Sequence, residues 1–594
     1  MKRSIPLPLL AVLMLAACGS DPALHALDNN EQASTLAEPV SAQDEIGAAG
    51  AAKIEQQAAT DSNALVPETT VAAPASTNAP SAAAPTMRSK ALAIAPWPCP
   101  MPVPPQPSPE GEQYGHDPAQ PVQLAQQNPV STFSIDVDTA GYANVRRLLG
   151  DGMLPPRDAV RIEEMVNYFR YDYRGPSSRQ QPFRVTAEMA PAPWDGGKQL
   201  LSIGLKGYEL ERQQLPPANL VFLIDVSGSM QSPDKLPLLK QALAGMVGHL
   251  RDCDRISIVV YAGASGLVLP ATPGNRQQQI LAALDALEAG GSTNGADGIR
   301  LAYRVAEATF SRRGINRVIL ATDGDFNVGT TDFEALMQLV AQKRAGGVEL
   351  SVLGFGRGNI NDRLMEQLAD RGNGNYAYID SLAEGEKVLI EQASGTLATI
   401  ARDVKIQMEF NPAVVREYRL IGYNNRQLKR EDFNNDRVDA GEIGAGHTVT
   451  ALYELTLVGG KGSIDPLRYG AQAAAGKGNE LGFLKLRYKQ SQGSSSQLLS
   501  YPLPRNMGKT LAATSDRFRF AAAVAAFGEL LRGGQYAGNF DYRRVQQLAQ
   551  GALGSDRDGR RHEFLQLVAQ AEHLAAPTPR QPLPVEPQDG LIIQ

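Results

Sequence analysis

Short apolar runs alternate with helical patterns between residues 219 and 392, and this alternation limits the folds that the segment can adopt. The predicted strands are at 220–225, 255–261, 318–322 and 348–355. Helical spacing is found at 235–250, 276–287, 295–310, 331–345 and 360–369. Strands that alternate with helices form a parallel sheet covered on both faces. We therefore predict a doubly wound, Rossmann-like α/β domain.

One carboxylate and two hydroxyls follow the first of these strands. The apolar run 220–224 ends at Asp225, and Ser227 and Ser229 follow at alternate positions. Ligands of a doubly wound sheet bind outside the carboxyl ends of its strands, where these side chains would lie. Hard oxygen donors of this kind suit Mg²⁺, Mn²⁺ or Ca²⁺ and suit Zn²⁺ poorly. The loop is therefore a candidate site for a divalent cation.

Two further loops add oxygen atoms at the same edge of the predicted sheet. The segment 290–294 opens a predicted helix and offers the hydroxyl of Thr293, and Asp323 follows the third strand. The first loop alone would be explained about as well by a capped turn between strand and helix. The second and third loops favour the metal site over that turn. Asp325 and Asn327, close to Asp323, are interpreted as solvated turn residues.

The three loops resemble the metal-ion-dependent adhesion site of von Willebrand factor A (VWA) domains. The resemblance extends to both sides of the α/β segment. Phe-Ser-Ile-Asp-Val-Asp-Thr at 133–139, Leu-Pro-Pro at 154–156 and the segment 160–169 resemble the N-terminal region of YfbK-type bacterial VWA lipoproteins. The segments 404–412 and 439–447 resemble the C-terminal domain of the same family.

The resemblance implies a role for each of the five candidate residues. Ser227 and Ser229 would bind the cation directly, and Thr293 directly or through water. Asp225 and Asp323 would mostly hold coordinated waters. Two carboxylates balance a divalent cation, so the ion can take a carboxylate of a protein partner at its open position. Mg²⁺ is the expected ion, with Mn²⁺ and Ca²⁺ as alternatives.

The first residues of the chain predict a targeting segment. Lys2 and Arg3 precede an apolar core at 7–15, and Leu-Ala-Ala-Cys ending at Cys18 resembles the lipobox of bacterial lipoproteins. Cys18 would then be lipidated and anchor the protein in the cell envelope. Gly19, in place of Asp, favours the outer membrane by the same resemblance. The alternative is an ordinary secretory signal with a chance cysteine.

A chain of 594 residues is too long for one core, and its composition divides it further. Residues 19–128, rich in Ala, Pro and Ser, are predicted to form a disordered tether, and 577–594 a flexible tail. The α/β domain is placed at 217–395. An α+β N-terminal region at 129–216 and a separate β-rich C-terminal domain at 400–576, with helices at its end, are expected to flank it.

Several other functions find little support in the sequence. The net charge of -6 and the lack of a basic block argue against a nucleic-acid partner. The six histidines are scattered and no Gly-x-Ser-x-Gly motif occurs, so we predict that the protein is not an enzyme. The segment 432–436 begins like an EF-hand loop. However, Arg437 and Ile443 stand where that loop needs Gly and Glu, so a turn is predicted.

The favoured function is therefore metal-dependent binding of a protein partner by a lipid-anchored envelope protein. One alternative is a structural or assembly scaffold of the envelope, in which the metal site is not essential. A metal-dependent hydrolase is the less favoured third possibility, because no general base is apparent beside the serines.

The Cys18→Ser variant should leave the membrane fraction, because the predicted lipid is the only membrane anchor that the sequence offers. Cell fractionation followed by immunoblotting measures this. The Cys253→Ser variant is the matched control and should remain with the membrane. Membrane association of the Cys18→Ser variant would refute the predicted lipid anchor.

Overall fold

The computed structural model describes residues 111–178, 180–324, 333–465, 478–491 and 493–576. These residues belong to one compact unit. The predicted signal segment with Cys18, the tether up to residue 110, and the tail at 577–594 lie outside them and stay predictions. No helix within the described ranges is both long and apolar enough to cross a membrane.

The strands build three sheets. In chain order the strands are β1 Gln123–Leu124, β2 Val130–Ser134, β3 Phe183–Ala192, β4 Asp195–Gly207, β5 Ala218–Asp225, β6 Arg255–Tyr261, β7 Ser265–Pro273, β8 Ile315–Thr322, β9 Glu349–Phe355, β10 Tyr376–Ile379, β11 Thr399–Phe410, β12 Val415–Ile421, β13 Ile443–Gly444, β14 Thr448–Leu457, β15 Glu480–Lys489 and β16 Gln497–Pro504.

The helices lie between these strands and at the C-terminal end of the described chain. They are α1 Ala140–Gly150, α2 Ile162–Asn167, α3 Leu236–Val247, α4 Gln277–Asp285, α5 Gly295–Ala308, α6 Phe333–Ala345, α7 Asp362–Arg371, α8 Leu382–Glu386, α9 Ala393–Leu397, α10 Asp516–Leu531, α11 Tyr542–Gln550 and α12 Arg560–Ala575. A π-helical turn, Lys387–Glu391, connects α8 to α9.

The predicted doubly wound fold is confirmed for the segment from β5 to α9, which we call the α/β domain. Its sheet has the order β10-β9-β8-β5-β6-β7. All neighbouring strands are parallel except β7, which pairs antiparallel with β6. Alternate residues of β5 pack into two different cores, with α3 and α4 on one face and α5, α6 and α7 on the other. Burial on both faces explains why β5 is apolar throughout.

The chain reverses its direction of winding at β5. This strand pairs with β6 on one side and with β8 on the other. The loops that follow β5 and β8 therefore diverge at the carboxyl ends of these strands, which is where open α/β sheets bind ligands. The strands β7 and β10 were not predicted. Most of β7 is half-buried or exposed at the sheet edge, and β10 has only four residues.

The two regions that flank the α/β domain form one structure instead of two. One sheet has the order β1-β12-β14-β4-β3, in which strands from both regions pair directly. In the other sheet β2 pairs with β11. The expected division into an N-terminal region and a separate C-terminal domain therefore differs from the structure. Strand periodicity shows that a strand exists, but it does not show which distant strand will be its partner.

The flanking structure, which we call the flanking domain, has three layers. The two sheets enclose a core that includes Ile203 of β4, Tyr453 of β14 and Met408 of β11. The other face of the first sheet, through Leu200 and Leu452, packs against α2, α10, α11 and α12. The α/β domain is thus inserted between two parts of the chain that fold together.

The structure corrects the expected end of the tether. Residues 111–128 are ordered, since β1 pairs with β12 and Ala125 is completely buried. The Glu112 carboxylate lies 2.8 Å from the guanidinium of Arg147, and both side chains are almost fully buried. The Gln113 N–H donates to the carbonyl of Ile360 in the α/β domain. These long-range contacts order a segment whose own composition predicts disorder.

A chain that begins at residue 129 should unfold at a lower temperature than one that begins at residue 111. The shorter chain leaves Arg147 without its Glu112 partner, and breaking a buried ion pair costs about 3–5 kcal/mol. Thermal unfolding followed by circular dichroism measures the difference. The Glu112→Gln variant of the longer chain separates the loss of the charge from the loss of β1. Equal melting temperatures of the two chains would show that residues 111–128 do not stabilise the fold.

Candidate metal centre

Three loops meet beyond the carboxyl end of β5. In the register of the sheet, Asp225 lies beside Tyr261 of β6, and the preceding Ile224 lies beside Ala321 of β8. Because parallel strands in register end at the same edge, the residues after β5 and β8 are brought together. The structure therefore places Asp225 and Asp323 at one edge, as the sequence predicted.

Asp225 organises the first loop with both of its carboxylate oxygens. The Ser227 N–H donates to Oδ1 at 2.8 Å, and the Tyr261 hydroxyl donates to Oδ2 at 3.1 Å. The Thr322 hydroxyl is 3.4 Å from the same Oδ2. Asp225 is completely buried. Burial raises the pKa of Asp225 to about 6, the nearby charge of Asp323 acts in the same direction, and hydrogen bonds from Ser227 oppose both.

The two serines of the first loop present their hydroxyls to the same point. Ser227 Oγ and Ser229 Oγ are 3.1 Å apart. Ser227 is buried and Ser229 is exposed, so the pair lies at the boundary between the sheet edge and solvent. The loop turns here through the short 3₁₀ helix Gly228–Gln231, which keeps both side chains on one side. Two adjacent hydroxyls of this kind can bind one cation.

Backbone hydrogen bonds hold the second loop against the first. The Gly228 N–H donates to the carbonyl of Gly291 at 3.0 Å, and the Gly290 N–H donates to the carbonyl of Val226 at 2.7 Å. Thr293 follows two residues after Gly291 and is half-buried, just before the start of α5. Thr293 is thus joined to the other candidate residues through the backbone of its loop.

Asp323, in the third loop, is held by an ion pair. Its Oδ2 accepts a hydrogen bond from Lys235 Nζ at 2.8 Å, and Asp323 is completely buried. Burial acts to raise the pKa of Asp323, but hydrogen bonds from Asn359 and Lys235 outweigh it and leave the pKa below its usual value. Asp323 is therefore ionised at neutral pH without a metal.

Four residues that hold these carboxylates were not among the candidates predicted from the sequence. Tyr261 and Thr322 could have been found, since each ends a predicted strand that neighbours β5. Lys235 and Asn359 do not lie at the end of a predicted strand, so no local sequence feature indicates them. Each lies far from residue 323 in the sequence, and only the folded chain brings its side chain to that carboxylate.

The donor set limits what this site can bind. Within the described residues, no cluster of three or more His, Cys, Asp or Glu side chains is placed to hold a metal ion. A cation at the sheet edge would therefore depend on hydroxyl oxygens supported by two carboxylates, which suits a hard divalent ion. Asp325 and Asn327, which follow Asp323, lie outside the described residues.

The segment that begins like an EF-hand loop has another structure. Residues Arg430–Asn434 form a 3₁₀ helix. The Lys405 ammonium donates to the carbonyls of Asp432 and Asn435 at 3.0 Å and 2.6 Å. A lysine thus already supplies the positive charge at these carbonyls. The prediction that this segment would not be a calcium loop agrees with this arrangement, although the turn is helical.

Comparisons with known protein families match most of the described chain. Residues 219–391 match the von Willebrand factor type A domain, and residues 395–574 match the family described as uncharacterized protein YfbK, C-terminal. Residues 108–202 match a family described as von Willebrand factor. These matches cover the α/β domain and both parts of the flanking domain.

Three individual proteins illustrate how similar this chain is to known sequences and structures. The chain is 50% identical over 461 residues to the Escherichia coli K12 protein described as uncharacterized protein YfbK, covering 76% of this chain and 80% of that protein. It is 27% identical over 269 residues to human inter-alpha-trypsin inhibitor heavy chain H3, which covers 41% of this chain and 29% of the human protein. A von Willebrand factor type A structure from Catenulispora acidiphila covers 65% of this chain and 89% of its own, with 16% identity and a TM-score of 0.37.

The stability of the metal-free protein should depend on Asp225 between pH 5 and 7.5. The folded-state pKa of Asp225 is raised, so its contribution is fully present at low pH and is lost as the pH rises through 6. The loss within this pH range is about 1.4 kcal/mol, because stability already begins to fall above the usual carboxyl pKa of about 3.9. Thermal melts in EDTA should therefore show the wild type losing stability relative to the Asp225→Asn variant as the pH rises.

The Asp323→Asn variant is the matched control for this experiment. The pKa of Asp323 is lowered, so its contribution is present above the usual carboxyl pKa and is lost only at lower pH. The difference between the wild type and Asp323→Asn should stay constant from pH 5 to 7.5. A constant difference for Asp225→Asn as well would contradict the raised pKa.

Proposed function

This chain belongs to the YfbK family of von Willebrand factor A domain proteins, and we propose that it binds a protein partner through a divalent cation. The observation that carries the proposal is the hydroxyl pair of Ser227 and Ser229, which lies at the sheet edge with two buried carboxylates behind it. VWA domains support protein interaction or adhesion as the general function. The proposal goes further, because it states that the interaction requires a divalent cation and names the residues that bind it.

The two hydroxyls lie close enough together to bind one hard divalent cation. Neighbouring ligands of octahedral Mg²⁺, each at about 2.0–2.1 Å, lie about 2.9 Å from each other. Ca²⁺ takes six to eight ligands at longer distances, so its neighbouring ligands lie about 2.7–3.7 Å from each other. The observed 3.1 Å between Ser227 Oγ and Ser229 Oγ fits either ion, so Mg²⁺ is proposed from the family resemblance, with Mn²⁺ and Ca²⁺ as alternatives. The donor set therefore fits a hard divalent cation.

The residues of the site divide into two groups by their contacts. Ser227 and Ser229 would hold the ion directly, and Thr293 directly or through water. Asp225 and Asp323 already accept hydrogen bonds within the protein, so they would act mainly on waters around the ion. A bound cation supplies a positive centre that attracts a carboxylate of the partner. Because Ser229 is exposed, a partner can reach this side of the site.

The arrangement of the serines favours binding over hydrolysis. A serine nucleophile needs a base within hydrogen-bonding distance of its hydroxyl. Here the hydroxyls of Ser227 and Ser229 lie within hydrogen-bonding distance of each other, and they also hydrogen-bond the carboxylates of Asp225 and Asp323, which are weaker bases than histidine. The histidines His116 and His562 instead contact Asp158 and Asp556 in the flanking domain. The proposed activity is therefore recognition of a partner, and a metal-dependent hydrolase stays the less favoured alternative.

The proposed site of action is the surface of the bacterial outer membrane. The support is the lipobox-like sequence that ends at Cys18, followed by Gly19, and the long Ala/Pro/Ser-rich segment up to residue 110. A lipid on Cys18 would anchor the protein, and this segment would connect the anchor to the folded residues. Envelope proteins with accessible carboxylates are the partners that this placement favours.

Removal of the cation should abolish capture of the partner. Immobilised full-length protein is incubated with envelope extract in Mg²⁺, in EDTA, and in EDTA followed by excess Mg²⁺. The wild type should retain a partner only when Mg²⁺ is present, because the ion forms part of the contact. The Ser227→Ala/Ser229→Ala double variant, which keeps both carboxylates, should retain none in any buffer.

The Ser500→Ala variant is the control, since Ser500 is an exposed residue of β16 in the flanking domain. It should behave as the wild type does. Partner capture that survives both EDTA and the double variant would overturn the metal-dependent function. That result would support the alternative of a scaffold whose metal site is not essential.

A further inference from the structure

A lysine ammonium reaches into the candidate metal centre from the start of α3. Lys235 Nζ lies 2.8 Å from Asp323 Oδ2 and 3.3 Å from Asn359 Oδ1. Only 7% of Lys235 is exposed, although lysine is rarely buried to this extent. A buried lysine beside a buried carboxylate is an ion pair shielded from water, so its charge acts strongly on the site.

The Lys235 side chain passes over Gly356, the residue directly after β9. Gly356 has a φ of +78°, and a Cβ there would lie 2.7 Å from Lys235 Cδ and nearer still to Cε. Any side chain at this position would collide with the lysine stem as well as strain the backbone. Gly356 thus leaves the space that the Lys235 side chain occupies.

We propose that Lys235 is an internal counter-ion of the metal centre that holds Asp323 in the metal-free protein and weakens the binding of a divalent cation. This inference rests on the proposed function, because it concerns the affinity of the same site. Lys235 is a positioning residue, since its contacts are with Asp323 and Asn359 and not with the hydroxyl pair of Ser227 and Ser229.

The charges of the described residues explain the direction of the effect. Asp225 and Asp323 carry two negative charges when ionised, and Lys235 cancels one of them. A divalent cation therefore approaches a site with one net negative charge instead of two. The cation must also compete with an ammonium that already contacts Asp323. Both effects lower the affinity of the site for the cation.

The same charges give the loaded site a net positive charge. Without Lys235, two carboxylates would neutralise the divalent ion. With Lys235 one positive charge remains, which attracts an anionic group of the partner. Lys235 thus lowers the affinity of the site for the cation and raises the attraction of the loaded site for an acidic ligand.

The Lys235→Gln variant tests the inference, because glutamine can still donate a hydrogen bond to Asp323 but carries no charge. Isothermal titration calorimetry of the full-length protein with MgCl₂ alone gives the affinity of the protein for Mg²⁺. We expect the variant to bind Mg²⁺ at least about tenfold more tightly than the wild type. In EDTA the variant should melt at a lower temperature than the wild type, and saturating Mg²⁺ should narrow this difference.

Two further variants separate the effect of the Lys235 charge from that of its hydrogen bond and from that of another lysine charge nearby. Lys235→Met removes both the charge and the hydrogen bond, so it should also bind Mg²⁺ more tightly while being the less stable of the two variants in EDTA. Lys240→Met removes a charge from the same helix, where Lys240 Nζ contacts the carbonyls of Asp285 and Leu287. This control should bind Mg²⁺ as the wild type does. A purely structural lysine would lower stability without raising the affinity for Mg²⁺.

The outcomes separate this inference from the proposed function. Equal Mg²⁺ affinities of the wild type and Lys235→Gln would overturn the role of Lys235 and leave metal binding intact. Mg²⁺ binding that appears only in the Lys235 variants would support the role in its strongest form. Absence of Mg²⁺ binding by the wild type and by every variant would overturn both.

Discussion

The antiparallel pairing of β4 with β14 joins parts of the chain that lie on opposite sides of the α/β domain. Lys206 pairs with Thr448, and the register continues to Gln199 and Leu455. This ladder closes one sheet of the flanking domain, so the chain enters the α/β domain after β4 of this sheet and leaves it into β11 of the second sheet. Folding of the flanking domain therefore requires the strands on both sides of the insertion.

The two carboxylates of the candidate metal centre have opposite electrostatic environments. Asp225 is surrounded by hydroxyl and backbone donors, so burial dominates and the pKa is raised to about 6. Asp323 faces a lysine, and its pKa is lowered. Asp323 is thus ionised before a cation arrives, whereas full ionisation of Asp225 requires near-neutral pH. A cation would stabilise the ionised form of both, which links metal affinity to pH.

The sequence-based predictions were accurate where neighbouring residues decide the structure, and they failed where contacts between distant residues decide it. The β5 and β6 strands were predicted almost to the residue, because burial on both faces gives each strand a continuous apolar run. Four of the five proposed metal-site residues lie at the ends of β5 and β8, where strand length and register bring them together. The order of residues 111–128 was missed, since it arises from partners such as Arg147 and Tyr418 that local composition does not reveal.

The α/β fold and the family follow from the sequence alone, and the oxygen ligands of the candidate site are predictions from it. Apolar periodicity and short motifs are local properties, and each of these conclusions depends on them. Only the tertiary structure showed that the flanking regions share their sheets and that Lys235 reaches Asp323 past Gly356. Strand partners and buried ion pairs are selected by packing among residues far apart in the chain. Their energies depend on burial and distance, which exist only after the chain has folded.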